Sequence, residues 1–516
     1  MGTRKFVFFI GLTVVMWLSS SRLFPIGVVG EVAASWTESP VVLQRSDPAE
    51  ESILSNLGPL TLRSTRPIMS IGSIPISTNL YTSAIPDWPS ALLFALSQSS
   101  ALVLGWHQMM AGLLLFLIFG TLRRELPLFH RILLTLLLAS DWTFLFYKRA
   151  LGGTEVWLQL GVILCLLSAL KFHRNEDGSV LLGWGMAIGL LAKVTFVFSL
   201  LPTLLALIWM RPQTLRLRSI AVPCILLLSL PLLTILAFSN TDIIVHSHDF
   251  FTLQWERLSN VFTATGPSRE TSSNIQLWML DPLPFFERAY QVSEIQNQWE
   301  WKALGWVVAV IVLLSQRTDT TLRWMSCVLA GQILLLGSIA KDLHHLAMVT
   351  PVLYIWLLFL VRHLPPKWTV LFAIPWLLGN LQILATSSEV IEKVRTPTFS
   401  MQQQQRLVDL LRTHNVQSIL TMDYEIYGVL EAIAPDINVT HGWGAISHER
   451  AGALPGLLKT SSGGHLLVLR SSSGMIYNLR PSEENLRHQA KKAQVDVKKI
   501  TEEGGSLWLY AVHPTQ

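Results

Sequence analysis

The sequence predicts an α-helical protein that crosses a membrane about eleven times and carries a small C-terminal α/β domain outside the membrane. Of its 516 residues, 51% are hydrophobic and only 14% are charged, whereas roughly a quarter are charged in soluble domains. The mean hydropathy is +0.44. Tryptophan outnumbers tyrosine 19 to 8, which suits a bilayer with aromatic side chains at its interfaces. This composition excludes a single soluble globule, a disordered chain and a coiled coil.

The first apolar run extends from Phe6 to about Ser20 and follows Arg4 and Lys5, as the apolar core of a signal peptide would. No small-x-small cleavage site closes this run, because the chain continues as S-S-S-R-L-F-P. We therefore interpret the run as an uncleaved first helix, with a cleaved signal peptide as the alternative.

Ten further apolar runs follow, and a helix needs about twenty residues to cross the hydrocarbon. They lie near residues 90–119, 132–147, 154–171, 179–192, 194–210, 219–238, 303–316, 323–340, 344–361 and 368–385. The run 179–192 is shorter than that length, so the pair 179–210 is the weakest part of the map.

The basic residues support the map if the N-terminus is cytoplasmic. The inner ends then carry fourteen of them: Arg4, Lys5, Arg123, Arg124, Arg131, Lys171, Arg174, Arg211, Arg216, Arg218, Arg317, Arg323, Arg362 and Lys367. The short outer connections carry four: Lys148, Arg149, Lys193 and Lys341. This is a positive-inside bias. It places the transmembrane domain at 1–385, with large outer segments at 21–89 and 239–302, and a soluble domain at 386–516 on the outer face.

The segment 386–516 has the composition of a soluble domain. An amphipathic helix is predicted at Gln402–His414, and further helices at Glu425–Ile433 and Glu483–Ala493. Strands are predicted at Ser418–Met422, His465–Leu469 and Leu507–Val512. Alternating strands and helices indicate a small α/β domain.

Several function classes are disfavoured. The net charge is only +5 with scattered basic residues, which argues against nucleic-acid binding. Cys165, Cys224 and Cys327 all fall inside apolar runs, which excludes a disulfide framework or a zinc cluster. The chain has no Walker loop, no G-x-G-x-x-G after a strand, no H-E-x-x-H and no G-x-S-x-G, which argues against a nucleotide-driven pump and a lipase-like hydrolase.

The first candidate site is the acidic stretch R-S-D-P-A-E-E, which contains Asp47, Glu50 and Glu51 in the first outer segment. A carboxylate near the membrane surface can accept a proton from a hydroxyl or bind a divalent cation. The structural alternative is helix initiation, with Ser46 or Asp47 as the N-cap and the glutamates complementing the helix dipole. The two interpretations are compatible.

The second candidate is Y-K-R-A-L-G-G-T-E, on the outer side between the third and fourth helices. Lys148 and Arg149, beside a Gly-Gly turn, could hold a phosphate, and Glu155 begins the next helix. The alternative is a snorkelling cationic pair, with Glu155 as a dipole partner. Because both cations oppose the positive-inside trend, we expect an anionic ligand.

Two histidine pairs and an acid within an apolar run complete the candidates. His344 and His345 open the tenth helix and could contact phosphate or form only an interfacial polar turn. His246, His248 and Asp249 are weak metal candidates, because alternate residues of an extended chain share a face. Asp141 lies within the predicted third helix and is expected to face the bundle interior, since lipid exposure would be costly.

The chain resembles the fold-class-C (GT-C) membrane glycosyltransferases of the family-39 type, which include protein O-mannosyltransferases and bacterial aminoarabinose transferases. The resemblance rests on five stretches in order: S-D-P-A-E-E-S-I-L-S-N-L-G, N-L-Y-T-S-A-I-P-D-W-P, F-Y-K-R-A-L-G-G-T-E-V-W-L, G-M-A-I-G-L-L-A-K-V-T-F and H-H-L-A-M-V-T-P-V-L-Y-I-W-L. The family usually has an adjacent Asp-Glu pair in the first loop, whereas here Asp47 is followed by Glu50 and Glu51.

The resemblance implies roles for these residues. Asp47 or Glu50 would bind the acceptor or act as the base, and Glu155 would be the second acidic residue. Donor phosphate and substrate contacts would come from Lys148, Arg149, His344, His345 and Tyr81.

The resemblance further implies transfer of a sugar from a polyprenyl-phosphate donor to an acceptor hydroxyl or amine, at the outer face of a bacterial plasma membrane. The acceptor would be a lipid, a glycan or a protein. No cofactor is assigned, and a divalent metal ion is an open alternative. The competing hypotheses are a transporter or flippase of lipid-linked sugars and a non-catalytic membrane assembly protein.

Overall fold

The computed structural model describes residues 11, 69–71, 74–77, 88–97, 99–145, 153–193, 196–237, 275–284, 295–315, 319–339, 344–393, 401–421, 426, 429–430, 433–434, 436–441, 454–460, 463–469, 483–500 and 507–515. Within these residues the protein is mostly helical, with a short hairpin of β1 (Met69–Ile71) and β2 (Ile74–Ser77) ahead of the helices.

A helical bundle follows the hairpin. Its helices are α1 Trp88–Ser97, α2 Ser100–Thr121, α3 Leu128–Ser140, α4 Gly153–His173, α5 Ser179–Ala192, α6 Phe196–Met210, α7 Leu217–Ala237, α8 Glu300–Ser315, α9 Thr320–Ile339, α10 His344–Ala347, α11 Thr350–Leu360 and α12 Pro366–Lys393. Every residue of α11 is buried, so this helix forms the centre of the bundle.

The bundle has the surface of a membrane protein. Three helical segments, Leu102–Arg124, Glu155–His173 and Pro366–Ile391, are long and apolar enough to cross a membrane, and six shorter apolar helices accompany them in the described part of the chain. Large apolar side chains are exposed along α6, α7, α8 and α12. Exposed apolar helix faces of this kind are expected where a bundle meets lipid.

Two of the predicted apolar runs are divided into separate helices. The run 90–119 is α1 and α2, separated at Ser99, whose backbone is extended and whose N–H donates to the Ser97 hydroxyl. The run 344–361 is α10 and α11, joined by a turn at 348–349. Serine side chains offer the backbone an alternative to helical hydrogen bonds, which explains the first break.

The predicted apolar run 132–147 is interrupted at Asp141. The prediction that Asp141 lies within a helix is wrong, because α3 ends at Ser140 and Asp141 is extended (φ −75°, ψ 125°). Its carboxylate accepts hydrogen bonds from the Phe144 N–H and the Thr143 hydroxyl and so caps a second helical stretch at 142–145. The prediction that Asp141 faces the interior is confirmed, since the residue is 3% exposed.

The antiparallel helices give the bundle two ends. We call the end that contains Asp141, Glu155 and Lys193 the site end. The end that contains Lys171 and Arg216 is the far end. Since the rise of a helix is about 1.5 Å per residue, the sixteen residues from Glu155 to Lys171 separate the two ends by about 24 Å.

The C-terminal part forms a mixed sheet flanked by helices. Its elements are α13 Met401–Thr413, β3 Ser418–Thr421, β4 Asn438–His441, α14 Leu454–Thr460, β5 His465–Leu469, α15 Glu483–Lys492, β6 Val495–Lys499 and β7 Leu507–Pro514. The strand order is β4-β3-β5-β7-β6, with β3 parallel to β4 and β5, and β7 antiparallel to β5 and β6.

The two faces of this sheet are covered by different helices. Ile419 packs with Leu407 and Leu411 of α13, whereas the next residue, Leu420, packs with Leu458 of α14 and with α15. This alternation follows from the two-residue repeat of a strand. The strands expected from the sequence coincide with β3, β5 and β7. Helix α12 continues to Lys393, eight residues beyond the end of the predicted apolar run.

Candidate active site

Close packing of α4 against α5 places Glu155 beside Lys193. A Cβ atom at Gly161 would lie 2.9 Å from the Gly185 carbonyl oxygen and 2.9 Å from the Gly189 Cα atom, so only glycine allows this approach of the two backbones. Small residues at four-residue spacing allow such contacts between membrane helices. The start of α4 and the end of α5 are thereby held side by side.

Glu155 and Lys193 form a buried pair at this junction. The Lys193 Nζ atom lies 3.9 Å from a Glu155 carboxylate oxygen, and their side chains are 6% and 3% exposed. Two charges inside a membrane protein are costly to desolvate, even when paired. Such residues commonly mark binding or reaction sites in membrane proteins.

One turn farther along α4, Gln159 connects this pair to α10. The Gln159 side-chain amide donates a 2.8 Å hydrogen bond to the Ala347 carbonyl oxygen. Since α10 spans His344–Ala347, the helix that carries both candidate histidines is fixed to α4, whose first turn contains Glu155. The structure therefore brings together three of the five stretches that carry the family resemblance.

A second buried pair lies at the same end, between Asp141 and Lys302. The Lys302 Nζ atom is 3.3 Å from Asp141 Oδ2, and both side chains are at most 4% exposed. The Tyr354 hydroxyl donates to the same oxygen at 2.8 Å and accepts from the Asn380 Nδ2 atom at 3.0 Å. The end of α3, α8 and α11 thus meet at one carboxylate, and α12 joins them through the contact of Asn380 with Tyr354.

Helix α12 packs closely against Lys302 because residue 379 is a glycine. A Cβ atom at Gly379 would lie 2.9 Å from the Lys302 Cγ atom. The lysine stem therefore lies on the backbone of α12, and its ammonium reaches Asp141. The adjacent residue Asn380 completes the network from the same helix.

A chain of hydroxyl groups joins the second pair to the segment 275–284. The Thr143 hydroxyl donates its proton to Asp141, so the Thr350 hydroxyl, 3.1 Å away, donates to Thr143. The Trp278 indole N–H donates to Thr350 at 3.0 Å. The segment that follows α7 is thus fixed to the bundle through a buried tryptophan.

A second set of hydrogen bonds, made by Asp281, holds the same segment in place. Asp281 accepts hydrogen bonds from the backbone N–H groups of Leu283 and Gln298. Burial raises the pKa of the Asp281 carboxyl above its ordinary value, although these two bonds and Lys302 oppose the shift. Asp281 is therefore a further buried carboxyl group at the site end, near the Asp141–Lys302 pair.

The comparisons with known proteins identify this arrangement only through its fold. No family model and no curated protein matches the sequence. The structure superposes on the crystal structure of ArnT from Cupriavidus metallidurans in the apo state, over 99% of this chain and 98% of ArnT, with 11% sequence identity and a TM-score of 0.51. The chain has the fold of ArnT. The resemblance to fold-class-C membrane glycosyltransferases is confirmed at the level of the fold.

The likeness to ArnT covers both the bundle and the C-terminal sheet, because nearly the whole chain aligns. Within this ArnT-like fold, Glu155 is the predicted catalytic residue whose side chain the structure describes, and the backbones of His344 and His345 lie in α10. The other predicted site residues lie outside the described residues: Asp47, Glu50, Tyr81, Lys148, Arg149, His246, His248 and Asp249.

Metal binding has no support within the described part of the chain. There, no group of three or more His, Cys, Asp or Glu side chains could hold a metal ion. The weak metal candidates near His246 fall outside that part, so this prediction stays a prediction.

Sequence reasoning missed Lys302, Tyr354 and Asn380 as members of the site-end network. Asn380 lies in a long apolar run, and a polar side chain in such a run is a signal that could have been used. Lys302 immediately precedes the apolar run 303–316, where a lysine is ordinary at a membrane interface. Its burial depends on Gly379 of a distant helix, which no local pattern reveals.

Proposed function

We propose that the protein is an integral-membrane glycosyltransferase. It moves a sugar from a polyprenyl-phosphate-linked donor to an acceptor hydroxyl or amine at the outer face of a bacterial plasma membrane. The observation that supports this most strongly is the convergence of Glu155, Lys193 and helix α10 at one end of an ArnT-like bundle. Buried charges kept at one membrane surface suit a reaction that separates charge there.

The chemistry needs one proton acceptor and several cations. The acceptor oxygen or nitrogen forms a bond to the anomeric carbon, while the bond from that carbon to the phosphate oxygen breaks. The electron pair leaves with the polyprenyl phosphate, and the acceptor proton passes to a carboxylate. A direct displacement of this kind inverts the anomeric centre.

We assign these roles to the residues that the family resemblance implies. Asp47, or Glu50, takes the proton, and Lys148 and Arg149 hold the leaving phosphate. His344 and His345 contact the donor, and Tyr81 contributes to substrate binding. Glu155 holds the Lys193 ammonium in position, so that its positive charge faces the developing phosphate charge.

The proposed function is tested with purified protein in vesicles that contain a polyprenyl-phosphate hexose or pentose. Released polyprenyl phosphate and sugar transferred to lipid or peptide acceptors are measured. We expect transfer, and we expect Glu155→Gln to lower it at least tenfold, because a buried lysine would lose its counter-charge. The matched control is Glu300→Gln, since Glu300 is an exposed carboxylate in the first turn of α8 at the same end.

The other outcomes distinguish the competing functions. Movement of the donor across the vesicle without transfer would identify a transporter of lipid-linked sugars. Neither transfer nor movement with either donor would favour a membrane assembly protein. Equal activity of Glu155→Gln and Glu300→Gln would remove the Glu155–Lys193 pair from the reaction.

A further inference from the structure

A charged cavity lies at the far end, about 24 Å along α4 from the candidate active site. Its volume is about 330 Å³, and it opens between the end of α2, the 3₁₀ turn Leu122–Arg124, the end of α4 and the start of α5. Its charged lining residues are Arg123, Arg124, Lys171, Arg174, Glu125 and Glu176. Four cations therefore face two carboxylates.

The two carboxylates are already paired. Arg174 lies 3.0 Å from Glu125 and 3.5 Å from Glu176, and Arg124 lies 3.0 Å from Glu176. The side chains of Arg174 and Glu125 are 27% and 13% exposed, so this pair is a fixed part of the cavity wall. The ion pairs hold the cavity in shape and use two of its positive charges.

Two cations are left for a ligand. Within the described part of the chain, Arg123 and Lys171 make no ion pair within 4.0 Å. Lys171 donates a long hydrogen bond (3.4 Å) to the Asp177 carbonyl oxygen, and the nearby Asp177 carboxylate is paired with Arg216. Arg123 is exposed at the mouth of the cavity. An excess of two positive charges in a concave site favours a phosphate group.

The remaining wall is apolar and favours a lipid over a soluble phosphate compound. Leu167 and Leu170 of α4 and Leu181 of α5 line the same cavity. Leu167 and Leu170 lie within one turn of Lys171 on the side of the site end, so they form the apolar floor beneath the cations. Cations at the membrane surface with apolar side chains beneath them match the headgroup and glycerol region of a phospholipid.

We propose that this cavity binds the phosphate of an anionic phospholipid in the leaflet at the far end. Arg123 and Lys171 contact the phosphate, the Arg174–Glu125 pair fixes the wall, and the leucines contact the start of the acyl chains. The site is separate from the proposed donor site, because about 24 Å of α4 lies between Lys171 and Glu155. The proposal does not depend on the transferase activity.

The test measures lipid binding to the full-length protein in detergent by native mass spectrometry. The protein is titrated with phosphatidylglycerol, phosphatidylcholine and inorganic phosphate. The test variant is Arg123→Gln/Lys171→Gln, which leaves the three ion contacts of the wall in place. The matched control is Arg218→Gln/Lys367→Gln, which removes one exposed arginine and one exposed lysine from the same end without touching the cavity.

We expect phosphatidylglycerol to bind the wild type and the control variant equally, and the test variant about thirtyfold more weakly, since each basic residue contributes about a fivefold attraction to an anionic lipid. Phosphatidylcholine binding as tight as phosphatidylglycerol binding would overturn the proposal. So would an equal loss in the control variant, which would indicate general surface attraction. Displacement of the lipid by inorganic phosphate at similar concentration would identify a site for soluble anions instead.

Discussion

The ammonium of Lys302 lies 3.3 Å from the carboxylate of Asp141, although 161 residues separate the two in the sequence. Both groups are buried, and Tyr354 donates to the same carboxylate. We predict that Lys302→Met lowers the free energy of unfolding by about 3–5 kcal/mol, because it leaves a buried carboxylate without its counter-charge.

The double variant Asp141→Asn/Lys302→Met provides the control. It removes both charges and retains an oxygen that can accept from Tyr354, so we expect it to recover much of the lost stability. Unfolding of the detergent-solubilised protein by a denaturant, compared across the two single variants and the double variant, measures the coupling. If the losses of unfolding free energy in the two single variants add up to the loss in the double variant, the pairing is contradicted.

Gly161 controls the approach of α4 to α5. We predict that Gly161→Ala destabilises the protein by about 1–3 kcal/mol, because the new methyl group meets backbone atoms of Gly185 and Gly189 at 2.9 Å. Turnover should fall as well, since the Glu155–Lys193 junction would open. Gly105→Ala is the control, because nothing lies within 4 Å of its Cβ position. Equal stability of the two variants would refute the close contact.

Asp281 should give the stability a pH dependence. Burial raises the pKa of its carboxyl in the folded protein, so the folded state retains a proton that the unfolded chain releases near pH 4. The contribution of this group is therefore complete below that pH and declines as the pH rises through the raised pKa. Measured unfolding free energies should show this decline in the wild type and a flatter profile in Asp281→Asn. Parallel profiles would contradict the shift.

Asp47→Asn should abolish sugar transfer while insertion and donor binding persist. Asparagine is similar in size and remains a good N-cap, so a capping role would survive the change. It cannot accept the acceptor proton, and loss of a general base costs roughly a hundredfold to ten-thousandfold in rate. Glu50→Gln is assayed in parallel. If only Glu50→Gln loses activity, the base is Glu50. If neither Asp47→Asn nor Glu50→Gln loses activity, this loop only caps a helix.

The predicted topology places residues 386–516 outside the cytoplasm. A reporter active only in the cytoplasm should be silent when fused after Gln516, because the charge bias assigns this end to the outer face. The same reporter inserted after His363, between α11 and α12, should be active. A strong signal from the C-terminal fusion would remove both the topology and the outer-face mechanism.

The sequence predicted those features of the fold that depend on local patterns. Apolar runs located α4 to α9 within a few residues, and short apolar stretches in the C-terminal segment located β3, β5 and β7. Breaks inside apolar runs were missed because hydropathy is averaged over a window, whereas the Ser97 hydroxyl and the Asp141 carboxylate interrupt helices through one or two hydrogen bonds to nearby residues.

The candidate site was predicted less completely, for a related reason. Glu155 and the interior position of Asp141 could be inferred, because charge in an apolar context is a local signal. The partners could not be inferred from local patterns. Lys193 lies beside Glu155 because glycines allow α4 and α5 to pack closely, and Lys302 lies beside Asp141 because Gly379 leaves room for its side chain. Such contacts depend on how distant helices pack.

The Asp141–Lys302 pair also has a consequence for the order of biosynthesis. Ribosomes add roughly 5–20 residues per second, so Asp141 is made about 8–32 s before Lys302, and Tyr354 and Asn380 follow later still. During that interval the carboxylate enters the membrane without its eventual counter-charge. Nascent chains that end before α8 should therefore hold α3 less firmly in the bilayer and be degraded faster than longer ones.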